Sequence, residues 1–200
     1  TNQIFPEAIC IPMSREMTIT QWHVPIDDES CYWYSMFTSF DQPVNKTLMR
    51  EQRLKEHRLP DYAPLKGRHN NYGFDPKEQQ RETYTGMGLD INVHDQWAVE
   101  SMGAIQDRTQ EHLGKTDVAI IRYRRQLRAA IAAVKEGRDQ DLPMYRGLDL
   151  STVVGPISND SIAQDGDWQR AAQQADQERR GGCSWEAGIA AADSLARTTT

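Results

Sequence analysis

The residues that could do metal chemistry converge on one stretch, INVHDQWAVESMGAIQDRTQEHLGKTD, residues 91 to 117. It places one carboxylate, Asp95, at the mouth of an expected helix, ahead of Ser-Met-Gly at 101–103 and Asp-Arg-Thr at 107–109. Two roles suit an Asp there. As an N-cap it accepts hydrogen bonds from first-turn amides, and on spacing alone the cap is the more economical reading. As a metal ligand it supplies the anionic oxygen of a mononuclear non-haem iron site. Such a site sets two imidazoles and one carboxylate on one face and leaves the opposite positions open for dioxygen and substrate. The choice between these roles decides whether the chain is part of an enzyme.

The histidines do not complete that site. No two of His23, His57, His69, His94 and His112 stand four or five residues apart on an expected helix. His94 adjoins Asp95 and points elsewhere. His112 falls at a break between helices. His23 lies on a strand, where packing is the simpler role. No CxH or CxxH pair is present to hold an iron–sulfur cluster through two His and two Cys. GxSxG, GxxxxGK[ST] and GxGxxG are also absent. Asp27-Asp28 reads as turn chemistry. Glu100, Asp107 and Glu111 are expected on helix faces, in solvent or paired with Arg108.

The elements that must position Asp95 are legible in part. Residues 3 to 13 read as one short strand. Residues 16 to 26 alternate, with Met17, Ile19, Gln21 and His23 on one face and Thr18, Thr20, Trp22 and Val24 on the other. Asp27 to Ser30 make a turn, and the aromatic run 31 to 40 favours a return strand, so an antiparallel hairpin is expected. Apolar residues on both its faces predict cover on both sides. Residues 46 to 57 suit a short helix, and the rest of 41 to 90 reads as a long loop. A first main helix is expected from about Asp95 to Arg108, burying Trp97, Ala98, Met102, Ala104 and Ile105, with Gly103 inside it. A second is expected from Thr116 or Asp117 to Glu136. It stops at Gly137 and buries Ile120, Ile121, Leu127, Ala130, Ile131 and Val134. Residues 1–156 are expected to form the folded part and 157–200 a polar, flexible tail.

Composition sets outer bounds. Two hundred residues suffice for one core. A net charge of −6 removes the electrostatic reason to bind nucleic acid, and the local cluster Arg122, Arg124, Arg125 and Arg128 reads as a solvated or interface face. No apolar run approaches the ~18 residues that span a bilayer. Cys10, Cys31 and Cys183 fit reduced thiols, hence a cytoplasmic protein. With no Met ahead of Thr1, and strand-like sequence from the start, the chain is expected to begin inside a larger protein.

The order of these features resembles a known family. Trp22, Val24, Pro25, Asp27 and Asp28 lie in the hairpin. Asp95, Glu100, Ser101, Met102, Gly103, Ile105, Asp107, Arg108, Thr109, Glu111, Leu113, Gly114, Asp117, Arg122, Arg124 and Arg125 follow the loop. Over roughly residues 1 to 136 this is similar to the C-terminal half of the oxygenase subunit of Rieske non-haem iron oxygenases, in the phthalate dioxygenase-like and O-demethylase branch. The resemblance implies an α+β helix-grip (START-like) catalytic portion, with an antiparallel sheet and long C-terminal helices. It implies that Asp95 is an iron ligand, the two histidine ligands and the [2Fe-2S] Rieske cluster lying in segments this chain lacks. The implied activity is dioxygen-dependent hydroxylation or O-demethylation of an aromatic small molecule at mononuclear Fe(II), with electrons from NAD(P)H through a reductase or ferredoxin. A homotrimer is the implied assembly. The alternative from another class is a non-catalytic helix-grip binding or assembly module without iron.

Overall fold

The computed structural model describes residues 1–145, 158–159, 162–163 and 166–183. The chain divides into two compact units, one of Thr1–Pro25, Cys31–Gln42 and Glu111–Thr200, the other of Ile26–Ser30 and Pro43–Gln110. The class is α+β, with an antiparallel sheet and C-terminal helices.

The first unit is built on a four-stranded antiparallel sheet in sequence order: β1 (Asn2–Ile4), β2 (Ala8–Pro12), β3 (Met17–Pro25) and β4 (Cys31–Ser39). The expected hairpin is β3–β4, paired from Met17↔Ser39 to Pro25↔Cys31. The expected single strand over 3 to 13 is instead two, β1 and β2, folded back on each other with Gln3 opposite Ile9. The turn at residues 5–7 contains Pro6, which has no amide to donate to a ladder. Both faces of the sheet are covered in its middle. Ile19 and Gln21 on one face of β3 and Thr18 on the other are buried, as are Ala8 and Cys10 on β2.

The second main helix spans Val118–Lys135 and is α4 once the others are numbered. It ends where Gly137 takes φ 68°, a left-handed stop that glycine adopts without a Cβ penalty. Tyr123 on this helix donates from its hydroxyl to the carbonyl of Pro6 at 2.5 Å. Its apolar stripe is only partly covered. Ala133 is buried and Ile121, Leu127 and Ala130 are half-buried, but Ile120, Ile131 and Val134 are exposed. Asp117 stands at the N-cap, yet its carboxylate accepts from Gly114 N at 2.8 Å rather than from the helix.

The stretch expected to be a polar tail contains helix α5 (Trp168–Gly181). Its Asp176 is buried and pairs with both Arg179 and Arg180, whose guanidinium groups lie over the Phe40 ring at 3.9 and 5.3 Å. Ser158 donates to the carbonyl of Cys10 at 3.0 Å.

The second unit holds α1 (Lys46–Glu56), the two-residue pair β5 (His57–Arg58) and β6 (Ala63–Pro64), a 3₁₀ turn over Arg68–Gly73, α2 (Pro76–Arg81) and α3 (Ile91–Glu100). The long loop expected between residues 57 and 90 is therefore broken by short regular pieces. Asn45 caps α1, accepting from Leu48 N at 3.0 Å, and Asp75 caps α2, accepting from Lys77 N at 2.8 Å. Among the described residues no helix is long and apolar enough to cross a membrane.

Candidate functional site

Asp95 sits in the middle of α3, not at its mouth. The helix begins four residues earlier than expected because Asp90 is its cap, accepting from Asn92 N at 2.9 Å. Asp90 is also paired with Arg53 at 2.6 Å, with its side chain 8% exposed. The helix ends at Glu100, eight residues short of the expected Arg108. Gly103 lies past that end and takes φ 95°, a backbone region that side-chain-bearing residues rarely adopt. The cap reading of Asp95 is thus corrected, since that role belongs to Asp90.

Helical geometry then sorts the side chains. Successive residues turn about 100° round the axis, so Val93, Gln96 and Glu100 lie on the side away from Asp95. Val93 is buried with Tyr72 and Met87. Ile91, Ala98 and Val99, at i−4, i+3 and i+4 from Asp95, share its own face, and all are exposed, Ile91 by 52% and Val99 by 63%. Asn92, at i−3, shares that face and is half-buried, so the carboxylate projects from a mostly apolar patch with one amide beside it. Trp97, Met102 and Ile105, expected to be buried, are exposed as well. Periodicity identified an apolar helix, but its covered side is the one around Val93.

That covered side is held by a polar network. Tyr72 is 4% exposed and donates to Glu100 Oε2 at 2.6 Å. Burial first, and the Glu100 carboxylate second, push its phenol above the ordinary value. Glu100 Oε1 accepts from Gln96 Nε2 at 3.0 Å, and Arg68 donates a short hydrogen bond to the Glu100 carbonyl. His94 Nε2 lies 2.9 Å from both Thr85 Oγ1 and the Gly88 carbonyl. A carbonyl can only accept, so Nε2 carries the proton and is unavailable as a ligand. None of this network was found from sequence. The one local signal is Asn-Asn-Tyr-Gly at 70–73, residue types that tolerate or demand left-handed backbone.

The motif that follows α3 makes turns. Ser101 Oγ donates to the Ala98 carbonyl at 2.9 Å. Asp107 Oδ1 accepts from Thr109 Oγ1 at 2.7 Å and from Thr109 N at 2.9 Å, and the Thr109 hydroxyl is the main reason its carboxyl titrates lower than usual. Glu111 receives both arms of the Arg124 guanidinium, at 2.5 and 2.8 Å. Asp27 Oδ1 accepts from Glu29 N and Ser30 N at 2.9 and 2.7 Å, as a turn residue should. The expected helix positions of Asp107 and Glu111 are therefore corrected: both lie outside α3 and α4.

The other histidines are dispersed. His23 packs edge-on to Trp33, with ring centroids 5.3 Å apart. His57 Nδ1 is 3.0 Å from the Arg53 carbonyl. Among the described residues no three His, Cys, Asp or Glu side chains come together to hold a metal ion. Asp95 fits a ferrous centre as one donor of a larger set: it is a hard anionic oxygen, accessible on the helix face and not used as a cap. Of the aromatic residues in the first unit's hairpin, Trp22, Trp33 and Phe37 are half-buried and Tyr34 is exposed; in the second unit Trp97 is exposed.

Comparison with known proteins agrees with the motif. Residues 1–175 match the family model described as LigXa C-terminal domain like. The phthalate 4,5-dioxygenase oxygenase subunit of Pseudomonas putida is 28% identical over 139 residues, which cover 67% of this chain and 31% of that protein. The chain thus spans about a third of the length of this curated relative.

Proposed function

Because this chain belongs to the LigXa C-terminal domain-like family, we propose that it is the C-terminal part of the catalytic domain of a Rieske-type aromatic oxygenase, with Asp95 as the carboxylate ligand of mononuclear Fe(II). The observation that carries the reading is the placement of Asp95. A carboxylate on a helix face beside exposed apolar residues is an expensive group to cover, since taking a charge out of water is unfavourable. A divalent cation would offset that cost, which supports a ligand role for an Asp whose neighbours on the face include Ile91, Ala98 and Val99.

In this reading the two remaining protein ligands and the [2Fe-2S] cluster come from outside the chain. When bound, the iron supplies dioxygen activation toward an aromatic small molecule. This chain's own contribution is narrower. Asp95 lends one negative charge and one oxygen donor. The exposed apolar residues beside it exclude water once covered. The network of Tyr72, Gln96 and Glu100 sets the rotation of α3. The reading also carries electron delivery from NAD(P)H through a reductase or ferredoxin, a trimeric subunit arrangement and a cytoplasmic location.

The test is turnover by the full-length protein with its reductase. Oxygen uptake and product formation are followed over a panel of aromatic acids and methoxy-aromatics, for the parent and for Asp95→Ala. The expected result is loss of turnover in Asp95→Ala with an unchanged circular dichroism spectrum. Parental turnover in that variant would overturn the assignment. A full-length parent that neither retains iron nor consumes oxygen would favour the non-catalytic binding or assembly module.

A further inference from the structure

We propose that Tyr72 is a positioning residue for Asp95, acting through Val93 and Glu100; the inference rests on the ligand reading of Asp95. Three observations converge on it. First, the backbone at Tyr72 is held in an unfavourable region. Asn71 has φ 51° and Tyr72 φ 57°, ahead of Gly73 at φ 68°. Two successive side-chain-bearing residues in left-handed backbone persist only where their surroundings over-determine them, and such residues gather at functional sites.

Second, two of the contacts that hold Tyr72 there reach α3. Its ring packs with Met87 and with Val93, two residues before Asp95. Its hydroxyl donates to Glu100, five residues after Asp95, at 2.6 Å. Arg68, from the same 3₁₀ turn, donates to the Glu100 carbonyl. Third, Val93, Gln96 and Glu100 lie on the face of α3 turned away from Asp95. Holding that face at both ends fixes the helix in rotation and in translation, which sets where the Asp95 carboxylate points. A ligand set works only when its donors stand within about 0.5 Å of their productive places.

The experiment uses the full-length protein freed of iron and titrated with Co(II) under argon. It reads the dissociation constant and the position of the visible ligand-field bands. The variants are Tyr72→Phe, Glu100→Leu, Glu100→Gln and Asp95→Asn. Tyr72→Phe and Glu100→Leu are expected to weaken Co(II) binding about three- to tenfold, less than the ten- to hundredfold typical of groups that touch a ligand directly, and to shift the bands. Glu100→Gln keeps an oxygen that accepts the Tyr72 hydroxyl and is expected to preserve both constants and bands. Should Tyr72→Phe fail to fold, Glu100→Leu against Glu100→Gln gives the same comparison. Lost Co(II) binding in Asp95→Asn, together with parental binding and bands in a folded Tyr72→Phe, overturns this inference alone. Parental Co(II) binding in Asp95→Asn overturns the ligand reading beneath it.

Discussion

Asp90 and Asp95 lie on one helix, and replacing each by Ala separates a cap from a ligand. Asp90 accepts from Asn92 N at 2.9 Å and pairs with Arg53 at 2.6 Å, with side chains 8% and 33% exposed. Loss of an N-cap carboxylate costs about 1 kcal/mol. A partly screened ion pair adds up to about 1 more, so Asp90→Ala should destabilise the protein by about 2 kcal/mol. Asp95 is exposed and mid-helix. Ala there gains up to about 0.7 kcal/mol of helix propensity over Asp, set against whatever contact an exposed carboxylate makes. Metal-free Asp95→Ala should therefore stay within about 0.5 kcal/mol of the parent. Urea denaturation followed by circular dichroism, with chelator present, measures both. A loss of 1.5 kcal/mol or more in Asp95→Ala, or a loss below 0.5 in Asp90→Ala, would refute the division of roles.

Other consequences follow from the same geometry. Arg124→Lys keeps the charge but loses the two-armed grip on Glu111; the thermal midpoint should fall, by a stability loss of about 1 kcal/mol. Gly86 and Gly137 both have positive φ, but a Cβ at Gly86 would meet the Asp75 carbonyl at 2.7 Å, while one at Gly137 meets nothing within 4 Å. Gly86→Ala should thus cost clearly more than the about 1–2 kcal/mol of left-handed strain expected for Gly137→Ala, as read by paired denaturation curves. The Tyr72 phenol is raised in the folded state. Its contribution to stability is complete below the unfolded phenol value of about 10 and is lost as pH rises through the folded value. Tyr72→Phe should flatten that alkaline decline, and an unchanged decline would place the titrating group elsewhere.

Local signals and tertiary signals fared differently in the sequence. The β3–β4 hairpin was legible because period-two alternation and the Asp27–Ser30 turn are local, and the end of α4 because Gly137 is a local stop. The start of α3 was misplaced because Asp90 and Asp95 are the same residue type, five residues apart; the amide that Asp90 accepts from marks it as the cap. Ile120, Ile131, Val134 and Val99 have the spacing of a core yet are exposed. Periodicity reports that a face needs cover without saying what supplies it. Tyr72 and Glu100 are 28 residues apart, and nothing in either neighbourhood announces the other.

The central claim is that Asp95 is a ligand to iron, and metal content tests it most directly. The full-length protein is purified anaerobically with Fe(II) as the parent, Asp95→Asn and Asp90→Asn, and iron per protein chain is measured by plasma mass spectrometry after gel filtration. The parent and Asp90→Asn are expected to retain iron, and Asp95→Asn to lose its mononuclear iron while remaining folded. Equal mononuclear iron in Asp95→Asn and the parent would contradict it.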